Sequence, residues 1–164
     1  MEIEIVFENE DVVVINKPVD LMVHGDGKND ARTVVDWFLE NYPDSKGVGE
    51  EQLSNDGEPL ERSGIVHRLD ADTSGVMVIA KNQDAFSHLK AQFHDRLAKK
   101  EYRALVYEHM REQWGTIDRP IGRSAKDFRL RSAERGAKGT LREAKTDWEL
   151  IGKGEFEGCL LYTS

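Results

Sequence analysis

At 164 residues, with 33% charged side chains and a mean hydropathy of −0.61, the chain suits one soluble domain with a real core. No apolar run approaches the ~20 residues of a membrane span. One cysteine excludes an internal disulfide framework and a cysteine-cluster zinc site. The acidic N-terminus, Met-Glu-Ile-Glu, lacks the basic region of a secretory signal, so a cytoplasmic protein is expected. A net charge of −8 argues against a uniformly basic nucleic-acid binder, but the charge is unevenly placed. Residues 1–60 hold 4 basic and 15 acidic side chains, whereas 119–145 hold nine basic and three acidic ones. Such a stripe fits phosphates, and it equally fits an ordinary solvated hairpin.

In chain order, the apolar β-branched runs 3–7 and 12–15, with a polar turn at 8–11 between them, predict a hairpin. Pro18 ends its second strand, because proline cannot donate to a ladder. Lys17 just before it suits a structural role, or a contact to Asp11 or a phosphate. Thr33 to Tyr42 reads as a helix with Val34, Val35, Phe38, Leu39 and Tyr42 on one face, stopped by Pro43. Residues 43–62, with six acids and few apolar side chains, read as a long exposed loop.

Asn82 is placed to cap a second helix over 83–98, with Phe86, Leu89, Phe93 and Leu97 as its buried face. His88 and His94 fall on different faces and do not suit a metal pair. Residues 99–107 alternate as a strand. Another strand over 115–119 leads into Pro120, Ile121 and Gly122, and 144–150 supplies one more. No internal repeat is present.

The chain centres on 64–81, read as strand, loop, strand: Ile65, Val66 and Leu69 lead in, and Val76 to Ala80 lead out. Between them lie His67, Arg68, Asp70, Asp72, Thr73, Ser74 and Gly75. A carboxylate near an arginine, where a strand meets a turn, suits a reactive site. The same residues suit a plain turn with a surface ion pair. Strand alternation sends Arg68 and Asp70 to one side and His67 and Leu69 toward packing. Asp72 is taken as a turn residue, since carboxylates two apart on one loop rarely flank a sugar from opposite faces.

His-Arg-Leu-Asp-x-x-Thr-Ser-Gly, followed by an apolar strand and Ala-Lys, resembles the active-site signature of the RluA-type RNA pseudouridine synthases. Asn16-Lys17-Pro18 with Leu21, Val23 and His24, the Lys-x-Tyr strand around Tyr102, and Pro120-Ile121-Gly122 also resemble that family, in the family's order. Asp20 departs from it, standing where glycine is frequent. The resemblance implies an α+β fold: a large, mostly antiparallel mixed sheet flanked by helices, with one catalytic domain over 1–158 and no S4 domain.

The resemblance further implies isomerisation of uridine to pseudouridine in structured RNA, ribosomal RNA ahead of transfer RNA, without metal or other cofactor. Asp70 is then the catalytic carboxylate, acting as nucleophile or by assisting proton loss from C2′. Arg68 fills the space left by the flipped nucleotide and Tyr102 stacks on the uracil. His67, Thr73 and Ser74 line or brace the site. Arg119, Arg123, Lys126, Arg129 and Arg131 are candidate phosphate contacts. A monomer without membrane attachment is expected. The alternative is an RNA-binding fragment without catalysis.

The family's Thr-Gly-Arg-x-His-Gln-Ile-Arg segment, whose first arginine pairs with the catalytic aspartate, is not found, which predicts little or no activity for the 164 residues alone. Residues 159–164 resemble a translated sequencing adapter and are expected to be a non-native tail on a C-terminally truncated copy.

Overall fold

The computed structural model describes residues 2–25, 31–53, 57, 59–107, 110–126, 130–133, 136–156 and 159–163. They gather into two compact units, Met1–Lys99 and Lys100–Ser164. The first holds β1 (Glu4–Glu8), β2 (Val12–Lys17), α1 (Val34–Asn41), a 3-10 turn (Pro43–Ser45), β3 (Gln52–Leu53), β4 (Pro59–Leu60), β5 (Gly75–Ala80) and α2 (Gln83–His94). The second holds β6 (Leu105–Tyr107), β7 (Trp114–Asp118), β8 (Ile121–Ser124), β9 (Arg131–Ala133), β10 (Ala137–Arg142), β11 (Lys145–Glu149), β12 (Gly152–Phe156) and β13 (Cys159–Thr163).

In the first unit β1 and β2 form the expected hairpin. The Asn9 side chain closes its turn, Oδ1 accepting from the amides of Asp11 and Val12 at 2.9 and 2.8 Å. β5 pairs antiparallel with the other side of β2, giving the order β1-β2-β5. Period-two alternation puts Val13, Ile15 and Lys17 of β2 on the buried face, level with Met77 and Ile79 of β5. Helix α1 supplies Val34, Trp37 and Phe38 to the same core, and Leu21 and Val23 complete it from the loop after β2. A capping box starts α1: Thr33 Oγ1 accepts from the Asp36 amide at 3.2 Å, and the Asp36 carboxylate accepts from the Thr33 amide at 2.8 Å.

Three local expectations change. Residues 64–69 are not a strand: they make one bridge, Ile65 to Ile79, with a turn at Gly64, a bend at Val66 and His67, and irregular backbone at Arg68 and Leu69. Helix α2 begins under the Asn82 cap as expected but ends at His94, because Arg96 turns left-handed at φ +58° and leaves Leu97 68% exposed. Residues 43–62 are more than a loop, since the 3-10 turn buries Ser45 and β3 pairs with β4.

The second unit consists of antiparallel ladders in the orders β10-β8-β9, β11-β7 and β12-β13-β6. The strand expected over 99–107 shortens to β6, and the charged stretch before it is exposed and lies outside any strand. The α+β class holds. Every strand pair described is antiparallel, and the described strands pair in ladders of two and three. Turns and bulges interrupt the pairing, as where the register shifts between Lys138 and Arg142.

Candidate active site

The central segment is held against the open edge of β5. The Ala80 amide donates to the Gly64 carbonyl at 3.0 Å, and the Val78 amide donates to His67 Nε2 at 3.1 Å. The His67 ring stacks on Phe93 of α2, centroids 4.5 Å apart. His67 is thus turned inward, as strand alternation had suggested, although no strand is present. Leu69 is buried while Arg68 and Asp70 are exposed, so the inside–outside order also holds.

Past Asp70 the chain turns, the Thr73 amide donating to the Asp70 carbonyl at 3.1 Å. Ala71 at the tip is fixed from the neighbouring loop: its carbonyl accepts from the Asp20 amide at 2.9 Å and from Lys17 Nζ at 3.1 Å. Asp20 makes its bond from a left-handed backbone, φ +62°, which explains why glycine suits this position and why aspartate is tolerated. The brace expected from the Thr73 and Ser74 hydroxyls is supplied by these backbone and lysine bonds instead, and neither hydroxyl is hydrogen-bonded among the described residues. Asp72 lies exposed in the turn, as expected.

Lys17 has no exposed side-chain surface, and its ammonium donates to three carbonyls: Pro18 at 2.8 Å, Leu21 at 2.7 Å and Ala71. Burial pushes its pKa below the ordinary lysine range, while Asp20, Asp72 and Asp70 act the other way. Of the roles open to it, the structural one is what the geometry shows. Its position could have been read from the alternation 13, 15, 17, which puts it on the core face. Lys17→Met is expected to lower stability by about 2 kcal/mol, because the hydrophobic stem stays while carbonyls lose their donor. Urea unfolding measures this, and a loss under about 0.5 kcal/mol would dismiss the clamp.

Asp70 and Arg68 open onto one cavity of about 260 Å³, bounded by residues 22–24 and 68–71. His24 lies on its other wall, Nε2 3.4 Å from Arg68 Nη1. Among the described residues no ion pair engages the Asp70 carboxylate. A larger cavity of about 340 Å³ lies between 47–53 and 60–63, but Glu50, Glu51 and Glu61 line it and the motif does not reach it.

The remaining candidates lie in the second unit. Tyr102 precedes β6 and is 56% exposed. Arg119, Arg123, Lys126 and Arg131 are exposed, and Arg129 lies outside the described residues. The register adds what spacing alone did not show: Arg123 of β8 stands opposite Arg131 of β9 on one side and Lys138 of β10 on the other. Directly opposed residues share a face, so three cations form one rung, and none has an ion-pair partner among the described residues.

A family model described as RNA pseudouridylate synthase matches residues 11–163. An uncharacterized RNA pseudouridine synthase of Synechocystis sp. is 39% identical over 150 residues, covering 91% of this chain and 42% of that one. The ribosomal large subunit pseudouridine synthase D of Escherichia coli is 41% identical over 121 residues, covering 74% of this chain and 33% of that one. Human RNA pseudouridylate synthase domain containing 1 shares the fold at TM-score 0.74 and 23% identity, over 99% of this chain and 57% of the other. The chain thus spans under half the length of these curated relatives. By this match, along nearly its whole length, the chain belongs to the RNA pseudouridylate synthase family and is of the RluA type.

Proposed function

We propose that residues 1–158 carry the catalytic aspartate and its supporting loops of an RNA pseudouridine synthase, an isomerase converting uridine to pseudouridine in structured RNA. The observation that carries the reading is Asp70, exposed beside Arg68 on one small cavity, on a turn pinned by Lys17 and Asp20. The N-glycosidic bond of uridine breaks, the uracil turns in place, and a carbon–carbon bond to the same ribose replaces it. No electrons are gained or lost overall and no water is added. Asp70 acts ionised, attacking the nucleoside or assisting loss of the C2′ proton.

Arg68 takes the space of the extruded nucleotide, and Thr73 and Ser74 remain free to meet the substrate. His67 acts by positioning Arg68 and Asp70 through its bond to β5. Ribosomal RNA is the favoured substrate, since a relative is named for the large ribosomal subunit; transfer RNA is the second choice. The complete product of the gene, incubated with transcribed large-subunit ribosomal RNA carrying C5-tritiated uridine, should release tritium to water and liberate no free uracil. Release of uracil would identify a glycosidase instead.

A second reading, RNA binding without catalysis, is favoured by one observation, the Arg131–Arg123–Lys138 rung. Opposed like charges destabilise a sheet unless an anion joins them, and phosphates fit. In either reading, Arg123→Ala with Arg131→Ala should lower RNA affinity at every sequence tested and flatten the slope of log affinity against log salt by about 2. An unchanged slope in a salt titration by fluorescence anisotropy would remove the rung from the interface.

A further inference from the structure

Arg68 is an exposed, many-rotamer side chain, yet the role given to it needs one aim. The neighbouring ring supplies a constraint. His24 Nδ1 lies 2.9 Å from the Gly25 carbonyl, which can only accept, so Nδ1 carries the proton. Arg68 Nη1, 3.4 Å from Nε2, can only donate, so Nε2 presents its lone pair. The two contacts together define one neutral tautomer.

We propose that His24 is a positioning residue for Arg68, its neutral ring holding the guanidinium on the cavity that contains Asp70. This rests on the reading of Asp70 and Arg68 given above. The surroundings favour the neutral ring. Burial lowers the His24 pKa most, the Gly25 bond opposes this, and Arg62 and Arg68 lower it further. The charged groups facing it are these two arginines and, across the cavity, Asp70. The folded pKa lies below the unfolded value of about 6.5. The acceptor is therefore fully present above that pH and is lost as pH falls through the folded value, when an N–H would oppose the guanidinium.

The test compares His24→Leu and His24→Gln, each with and without Arg68→Ala, in the complete gene product. kcat/KM and affinity are read on the same tritiated ribosomal transcript. His24→Leu should lower kcat/KM about five- to tenfold, chiefly through KM, whereas Gln, which keeps an acceptor, recovers most of the loss. In the Arg68→Ala background the two substitutions should have no further effect. Below pH 6.5 the wild type should fall relative to the Gln variant.

Equal losses with and without Arg68, or Gln no better than Leu, would overturn the proposal. A reading independent of turnover is the ¹⁵N spectrum of His24 at pH 7. A neutral ring protonated at Nδ1 is expected, and protonation at Nε2 would overturn the contact. If Asp70→Asn still isomerised uridine, the functional reading would fall, while the tautomer and the coupling in RNA affinity would still report on His24 and Arg68.

Discussion

Asp70→Asn should reduce tritium release from C5-labelled uridine by about 10³-fold or more while changing RNA affinity less than about twofold. The amide has the shape of the carboxylate but neither its negative charge nor its basicity. Both routes open to Asp70, attack on the nucleoside and assistance at C2′, end with that one change. The structure makes the comparison clean, because the Asp70 side chain is exposed and is not ion-paired among the described residues. Its contribution to the turn is its carbonyl, which the Thr73 amide holds and which the substitution leaves alone. Unfolding midpoints should therefore coincide for the two proteins. Asp72→Asn, on the same turn and also exposed, should stay close to wild-type turnover. Substantial residual isomerisation by the Asp70 variant would remove the assignment, and equal losses at 70 and 72 would indicate a charge effect of the loop rather than a reacting group.

What is legible in the sequence is local. The β1–β2 hairpin, the Asn82 cap and the apolar face of α1 depend on neighbours within a few residues, and each appears where its pattern puts it. The motif was legible as chemistry, because residue types at fixed spacing define it, but not as backbone. Ile65 and Val66 have strand composition, yet the segment runs along β5 through the Gly64 carbonyl and the His67 ring, bonds to residues more than ten positions away. The period 86, 89, 93, 97 continued as a helical pattern past the point where Arg96 leaves helical geometry. Around Tyr102 the alternation was real, but a strand also needs a neighbour, and spacing carries no record of one. The cation rung is half legible: Arg123, Arg131 and Lys138 all stand in the basic stripe, but that these three meet is decided by register alone. His24 belonged to the recognised pattern, yet its contact with Arg68 spans 44 positions.

The second large effect expected is at Gly64. Its backbone stands at φ +73°, where a side chain is strained, and a Cβ there would lie 2.3 Å from the Ala80 carbonyl oxygen and 2.8 Å from Ile79 Cγ2. The first contact is with backbone that is part of β5, so no rotamer change relieves it. Gly64→Ala must push the segment off the strand, breaking the bond from the Ala80 amide and straining the one from Val78 to His67. A loss of about 3 kcal/mol is expected, joining conformational strain to overpacking. Gly47→Ala separates the two causes: Gly47 has φ +81° but nothing within 4 Å of a Cβ, so strain alone, about 1 kcal/mol, should appear. Denaturant unfolding of both variants reads the difference. Because Gly64 leads directly to His67, Arg68 and Asp70, its variant should also lose turnover at temperatures where it remains folded, and Gly47→Ala should not. Similar losses of stability in the two would mean that the close approach to β5 does not hold the motif in place.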